Sequence, residues 1–445
     1  MAGQSDRDLG MTPPGADRST DSYLPEHGNG GYRVLHYDLD LDYRVVTNRL
    51  AGKAIITAQA VQSLSRFSLD LGRLRVDEVR VDRQRADFTH RAGKLRIKPD
   101  KPVGYGATFK IEIRYAGAPV PIAGRWGDIG WDELTDGALV ASQPNGAPSW
   151  FPCNDRLEKA GFLVRISAAT PYTVVATGDL VSRRRGATST TWVYERSEPT
   201  APYLMSVQVG RYELIELAAG GVIQRAAVPP RLRTVFRHDF GRQPEIMAAL
   251  EAMFGPYPFR EYVVVVADDD LDDPIEAQGM AVFGRNHLDG QRTHERLVAH
   301  ELAHQWFGNS LTVADWRHIW LNEGFATYAE WLWSDVSGGP LAGAHANHWY
   351  GWLAARPAAV AIADPGVDRM FDPMVYKRGA LTLHALRLRV GEKAFFAMLR
   401  SWAAEHRHRT VTTSQFRNHA ARFTTESLDD LFTAWLDRPE LPPMS

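Results

Sequence analysis

Two histidines four residues apart, His300 and His304, enclose a glutamate in the run His300-Glu301-Leu302-Ala303-His304. On a helix, positions four apart lie one above the other, so both imidazoles can aim at one point. Glu301 lies beside them, near enough to act on a metal-bound water without binding the metal itself. A catalytic zinc keeps three protein ligands and one open position, so a third ligand is required. Glu323, in Leu321-Asn322-Glu323-Gly324 at the head of the next apolar-patterned run, supplies it. Two histidines and one glutamate around a single Zn2+ ion, with water in the fourth place, make a hydrolytic centre. A bare H-E-x-x-H also occurs on ordinary amphipathic helices whose histidines are merely solvated. Here apolar residues surround the histidines between Leu297 and Phe307, Gly308 gives a stop, and the N-E-G run follows at a suitable distance.

A scaffold must hold those ligands, and a chain of 445 residues is long for a single core. The first half reads as β structure. Tyr37, Leu39, Leu41 and Tyr43 alternate with His36, Asp38, Asp40 and Asp42, and Phe109, Ile111, Ile113 and Tyr115 alternate with Lys110, Glu112 and Arg114. That is the period-two signature of strands with one wet face. Similar short runs at residues 54–61, 76–81, 173–176 and 203–209, separated by turn residues, predict an antiparallel sandwich or saddle rather than βαβ units. After residue 212 helical patterning takes over. It covers residues 243–254, the motif helix, the Glu323 helix from 325 to 336, and residues 378–390, 395–404 and 428–436, with one buried strand at 262–266. The expected class is therefore α+β. The expected divisions are a flexible tail over residues 1–31, a β domain over 32–214 and a mainly helical domain over 215–445.

Composition narrows the partners. Apolar residues at 44% and charged residues at 23% are those of a soluble globular protein, and a formal charge of −2 gives no electrostatic case for nucleic acid or an anionic membrane. No apolar run is long enough to span a bilayer, and the polar first 31 residues lack the apolar centre of a secretory signal. Cys153, the only cysteine, rules out an intrachain disulfide and fits a reducing compartment, so the cytoplasm is the expected location.

With these residues in view, the chain resembles the gluzincin zinc aminopeptidases, peptidase family M1, which includes aminopeptidase N and leukotriene hydrolase. The resemblance covers nearly everything after the tail and is most specific from Val298 to Glu330. Trp150-Phe151-Pro152-Cys153-Asn154-Asp155 with Lys159-Ala160 resembles the segment that closes the family's β domain. Val375-Tyr376-Lys377-Arg378-Gly379-Ala380 resembles its catalytic tyrosine segment. The resemblance implies a β saddle followed by a thermolysin-like domain, peptides as substrates, and a short form without the large carboxy-terminal helical domain of bigger members.

It also implies roles. Glu301 becomes general base and then proton donor, and Tyr376 stabilises the oxyanion; a half-buried core tyrosine is the plain alternative. Glu276 holds the substrate's α-ammonium through a charge-assisted hydrogen bond. The family places this acid in a G-x-M-E-N strand, whereas here the run is Asp273-Pro274-Ile275-Glu276-Ala277. A rival register on Gly279-Met280-Ala281 would lose the acid. Gln143 resembles the family's glutamine beside the amino group. Glu330, on the Glu323 helix, could accept the far N–H of a ligand histidine or be an ordinary solvated position. The pairs His345/His348 and His406/His408 lack an acidic or thiol partner, and the acid run 268–273 lacks the pattern of a calcium loop. Two competing readings stay open: a zinc endopeptidase that ignores the amino terminus, and a catalytically silent protein-binding scaffold.

Overall fold

The computed structural model describes residues 12–357 and 360–444. Strand Tyr32–Arg44 is the hub of the amino-terminal half. Its Tyr37, Leu39, Leu41 and Tyr43 are buried while Asp40 and Asp42 face water, as the alternation predicts. It pairs antiparallel with Arg49–Ala60 and parallel with Ala160–Ala169. Around it forms an eight-stranded sheet that runs from Asp179–Arg185 at one edge to Gln84–Arg85 at the other. A five-stranded and a three-stranded sheet complete this half. One core serves all of them, with Trp131, Trp150 and Phe151 meeting Tyr37, Tyr43 and Phe162.

The second half opens on a five-stranded sheet in the order Glu213–Ala218, Ile223–Val228, Glu261–Ala267, Met280–Gly284, Ile275–Ala277. Its inner strands are parallel, and each outermost strand is antiparallel to its neighbour. Helices then dominate. They include Gln243–Phe254, Glu295–Ala303, Trp320–Val336, Ala342–Ala354, Pro373–Val390 and Glu392–Glu405. Residue 214 lies inside the first strand of this sheet, whereas Val207–Gly210 still pairs within the β half, so we place the division at residues 211–212.

One helix crossing positions the chemistry. A Cβ on Gly324 would stand 2.8 Å from the Cα of Gly379, and one on Gly379 would stand 2.7 Å from the Cα of Gly324. Backbone thus meets backbone where Trp320–Val336 crosses Pro373–Val390, and only two glycines permit it. Asp372 caps the second of these helices, its carboxylate accepting from the Met374 amide at 2.9 Å.

Two expectations are corrected. Residues 12–31 are not a loose tail; residues 1–11 lie outside the described residues. Asp17 accepts from Ser68 and Arg96, Asp21 accepts from the Trp316 amide at 3.0 Å, and Ser22 donates to Asp315 at 2.5 Å. The amide of Gly366 donates to the Tyr23 hydroxyl at 2.7 Å. Polar side chains that look solvated in sequence here satisfy partners on both halves, and the segment straps one half to the other. The expected single helix over 428–436 is a short α-turn, Asp429–Phe432, followed by a π-turn, Thr433–Asp437. The guanidinium of Arg378 explains the wider turn, since it collects the carbonyls of Ala434, Trp435, Arg438, Pro439 and Glu440.

Candidate metal centre

Helix Glu295–Ala303 carries His300 and Glu301, and His304 follows at its carboxy-terminal cap. All three are buried. Each histidine has its Nδ1 occupied: His300 by a Glu330 oxygen at 2.8 Å, His304 by the Phe307 carbonyl at 3.1 Å. These bonds fix both rings so that the Nε2 atoms face the same way. Glu323 Oε2 lies 3.6 Å from His300 Nε2 and 3.5 Å from His304 Nε2. Ligands about 2.0–2.1 Å from a tetrahedral zinc stand roughly 3.4 Å apart, so both of these separations suit such an ion, and all three atoms lie within 4.8 Å of one another. Among the described residues, every group of three side chains close enough to share a metal includes His304. The donor set and its hydrogen-bonded outer shell fit Zn2+.

Gly308 allows the return of the chain behind this site. Its φ is +126°, and a Cβ there would come within 3.2 Å of His304 Nδ1. The helix therefore ends at Ala303, and the turn up to Gly308 holds the second histidine against its carbonyl.

Before an ion binds, the ligands hold opposite charges, and a bound ion would take the place of the Nε2 protons. Burial works against both ions, but the shared hydrogen bonds and fields prevail, holding the Glu323 carboxyl at about 2 and lifting His300 to about 9. Glu330 is likewise held at about 2, burial being outweighed by the His300 hydrogen bond and then by Lys377. Glu301 differs. Burial raises its carboxyl to about 7, partly offset by the two histidines and reinforced by Glu276 and Glu323. One of its oxygens, Oε2, is buried without a hydrogen-bond partner among the described residues, as expected of a group kept for a reacting molecule.

The remaining candidates converge on the same cleft, a cavity of about 530 Å³ that also takes Trp126 and Ile129 from the β half. Gln143 Nε2 donates to Glu276 Oε1 at 2.7 Å, joining a β-half loop to the outermost strand Ile275–Ala277 of the catalytic sheet. The rival register falls outside this strand. Gly279, at φ +79°, forms the turn of that hairpin, and Met280 and Ala281 are buried in the next strand. Tyr376 stacks 6.2 Å from His300, ring centre to ring centre and nearly parallel, and burial raises its phenol well above the ordinary value. Glu330 accepts from His300 and also from Arg296 at 3.2 Å, so it is no solvated helix position. Asp315 and Asn322 stand apart from the reacting face. Asp315 caps a short turn and binds the amino-terminal strap, and Asn322 lies behind Gly308. The acid run 268–273 is spent on ion pairs with Arg231 and Arg285 and on Thr135, with Asp273 reaching the cleft.

The sequence reading did not single out Gln305. It is fully buried, accepts from the Gly279 amide at 2.7 Å and donates to the Ala277 carbonyl at 3.1 Å. Asn309 adds a bond to the same carbonyl at 3.0 Å. The turn that follows the motif helix therefore clamps the hairpin that carries Glu276. A signal was present, since a glutamine placed among apolar residues beside His304 must find buried partners.

Known proteins resemble this chain in sequence and fold. The Peptidase M1 N-terminal domain matches residues 33–204, and the Peptidase family M1 domain matches residues 239–435. The chain is 24% identical to Leucine aminopeptidase 2 of Phaeosphaeria nodorum over 87% of its own length and 66% of that protein's. It is 23% identical to Aminopeptidase M1 of Arabidopsis thaliana over 69% and 37%. It therefore spans between about a third and two thirds of these curated relatives. An M1 zinc metallopeptidase of Deinococcus radiodurans, solved with a Tyr-Ser-Ala substrate, superposes with a TM-score of 0.87 at 30% identity, covering 95% of this chain and 98% of that one. Yeast LTA4 hydrolase shares the fold, with a TM-score of 0.80 at 22% identity over 93% of this chain and 69% of that one.

Proposed function

The chain belongs to peptidase family M1, and on that premise we propose that it is a zinc-dependent aminopeptidase hydrolysing the first peptide bond of its substrates. The observation that carries this reading is the Glu276–Gln143 pair beside the histidine–glutamate triad, an acid poised for a free amine next to a hydrolytic centre. His300, His304 and Glu323 would hold the zinc, which when bound supplies a Lewis acid that acidifies water and polarises a carbonyl. Glu276 and Gln143 bind the α-ammonium and so fix which peptide bond enters. Glu301 takes a proton from the attacking water and returns it to the departing amine. Tyr376 donates its phenolic hydrogen to the carbonyl oxygen as that oxygen gains charge. Glu330 keeps His300 in the tautomer that presents Nε2. The proposed compartment is the cytoplasm, supported by a single buried cysteine, Cys153, in the free state.

The test uses one peptide in free and amino-acetylated forms, with wild type and Glu301→Gln. Expected are cleavage of the free form alone and loss of turnover in the variant. Equal cleavage of the acetylated form would establish an endopeptidase, and full activity in the variant would defeat the proposed proton transfer. Absence of zinc in the purified protein together with no cleavage would leave the scaffold reading.

A further inference from the structure

The cleft continues beyond the metal centre. Arg296, Glu330 and Lys377 line both the cavity of about 530 Å³ and a second one of about 1,120 Å³. This second cavity runs between the head of Glu295–Ala303, the tail of Trp320–Val336 and helix Ala342–Ala354. The two ends of the combined cleft differ in sign. Asp273 and Glu276 stand at the amine-binding end, whereas Arg242, Arg292, Arg296 and Lys377 line the far end against Glu295 and Glu330.

Both far-end acids already have cationic partners, although Glu295 Oε1 is buried without a partner among the described residues. Glu330 gives one oxygen to His300 at 2.8 Å and the other to Arg296 at 3.2 Å. Glu295 serves Arg242 at 3.1 Å and the Trp333 indole at 3.2 Å. Lys377 forms no ion pair or hydrogen bond among the described residues. Its ammonium lies 4.6 Å from the centre of the Trp349 ring, half-buried, and burial pulls it below the ordinary lysine value. It also follows Tyr376 directly on helix Pro373–Val390. The fields of Glu330 and Glu323 reach this half-buried ammonium without a direct ion pair, so Lys377, lining the same cleft as Tyr376, stays open to an anion from outside.

A substrate can supply one. An extended peptide advances about 3.3–3.6 Å per residue, so the terminal carboxylate of a tripeptide stands roughly 7 Å past the first peptide bond. Resting on the aminopeptidase reading, we propose that Lys377, with Arg296 beside it, forms a carboxylate-binding subsite on the leaving-group side, and that preferred substrates are short zwitterionic peptides with a free terminal carboxylate. Amine and carboxylate then meet opposite charges at the two ends of one cleft, which orients the peptide before the bond is cut.

Steady-state kinetics on Ala-Ala-Ala and its carboxy-terminal amide test this in wild type and Lys377→Met, with an alanyl anilide as a substrate lacking the group altogether. Wild type should favour the free acid over the amide by about tenfold in kcat/KM, mostly through KM, the scale of one charge-assisted hydrogen bond. In Lys377→Met that ratio should fall close to one. A wild-type ratio near one, or a ratio unchanged in the variant, overturns the proposal. So does a parallel fall on all substrates in a folded variant, which would mean that Lys377 only steadies Glu330. If the variant does not fold, the wild-type ratio decides alone. A wild type that cleaves neither anilide nor peptides overturns the aminopeptidase reading itself, and the inference with it.

Discussion

The metal-ligand region and the amine-binding region are built on different principles. His300, His304 and Glu323 come from two consecutive helices of one half, locked by short polar bonds and a glycine crossing. Glu276 and Gln143 come from an outermost strand and from a loop of the other half, joined by one hydrogen bond and steadied by Gln305. The chemistry rests on local helix geometry. On the proposed reading, substrate selection rests on how the two halves meet, with the strap of residues 12–31 among the ties between them. Variants of the first region should therefore act on turnover whatever the substrate, and variants of the second on recognition.

Metal removal is the strongest way to break this contrast. A chelator, or His304→Ala, should reduce hydrolysis of every substrate below detection, read by anilide assay beside a zinc determination; surviving activity would separate the chemistry from the triad. Gly379→Val comes next. A side chain placed 2.7 Å from the Cα of Gly324 must push two helices apart. The expected cost is about 1–3 kcal/mol of stability together with a fall in kcat on all substrates, measured by thermal unfolding and kinetics. Glu276→Gln sharpens the comparison from the other side. The loss should be about 10- to 100-fold in kcat/KM for free-amine peptides, as for a hydrogen bond to a charged group, with zinc content unchanged. A drop in zinc content would show that the regions are not separable.

Asp17→Asn should give the smallest effect. Burial disfavours the Asp17 carboxylate, but Ser68 and Arg96 overcome this and hold it below its ordinary value of 3.8. A carboxyl lowered in the folded state contributes stability above the unfolded value and loses it as pH falls through the folded one. Wild type should exceed the variant by about 1 kcal/mol or less at pH 7, with the gap closing under acid conditions. Thermal unfolding across that range checks it, and a gap independent of pH would mean that the carboxylate's charge is not what ties the strap.

Much of this was legible in the sequence, for stated reasons. The alternation around Tyr37 and Leu39 gave a strand because one face is wet. His300, Glu301 and His304 could be placed together because helix periodicity alone brings them together. Glu276 and Gln143 were reachable only through family resemblance, since no local spacing relates residues of different halves. Residues 12–31 were misread because their order comes from scattered polar bonds rather than any repeating apolar pattern. Lys377 carried no signal at all, because its setting between the Trp349 ring and the cleft is purely tertiary.

The glycine crossing has a further consequence for anyone reshaping the cleft. The separation between the helix that bears the acid ligand and the helix that bears the phenol equals the thickness of two bare main chains. No rotamer can widen or narrow that gap. Pocket redesign can thus vary wall residues freely while the reactive spacing behaves as a fixed gauge.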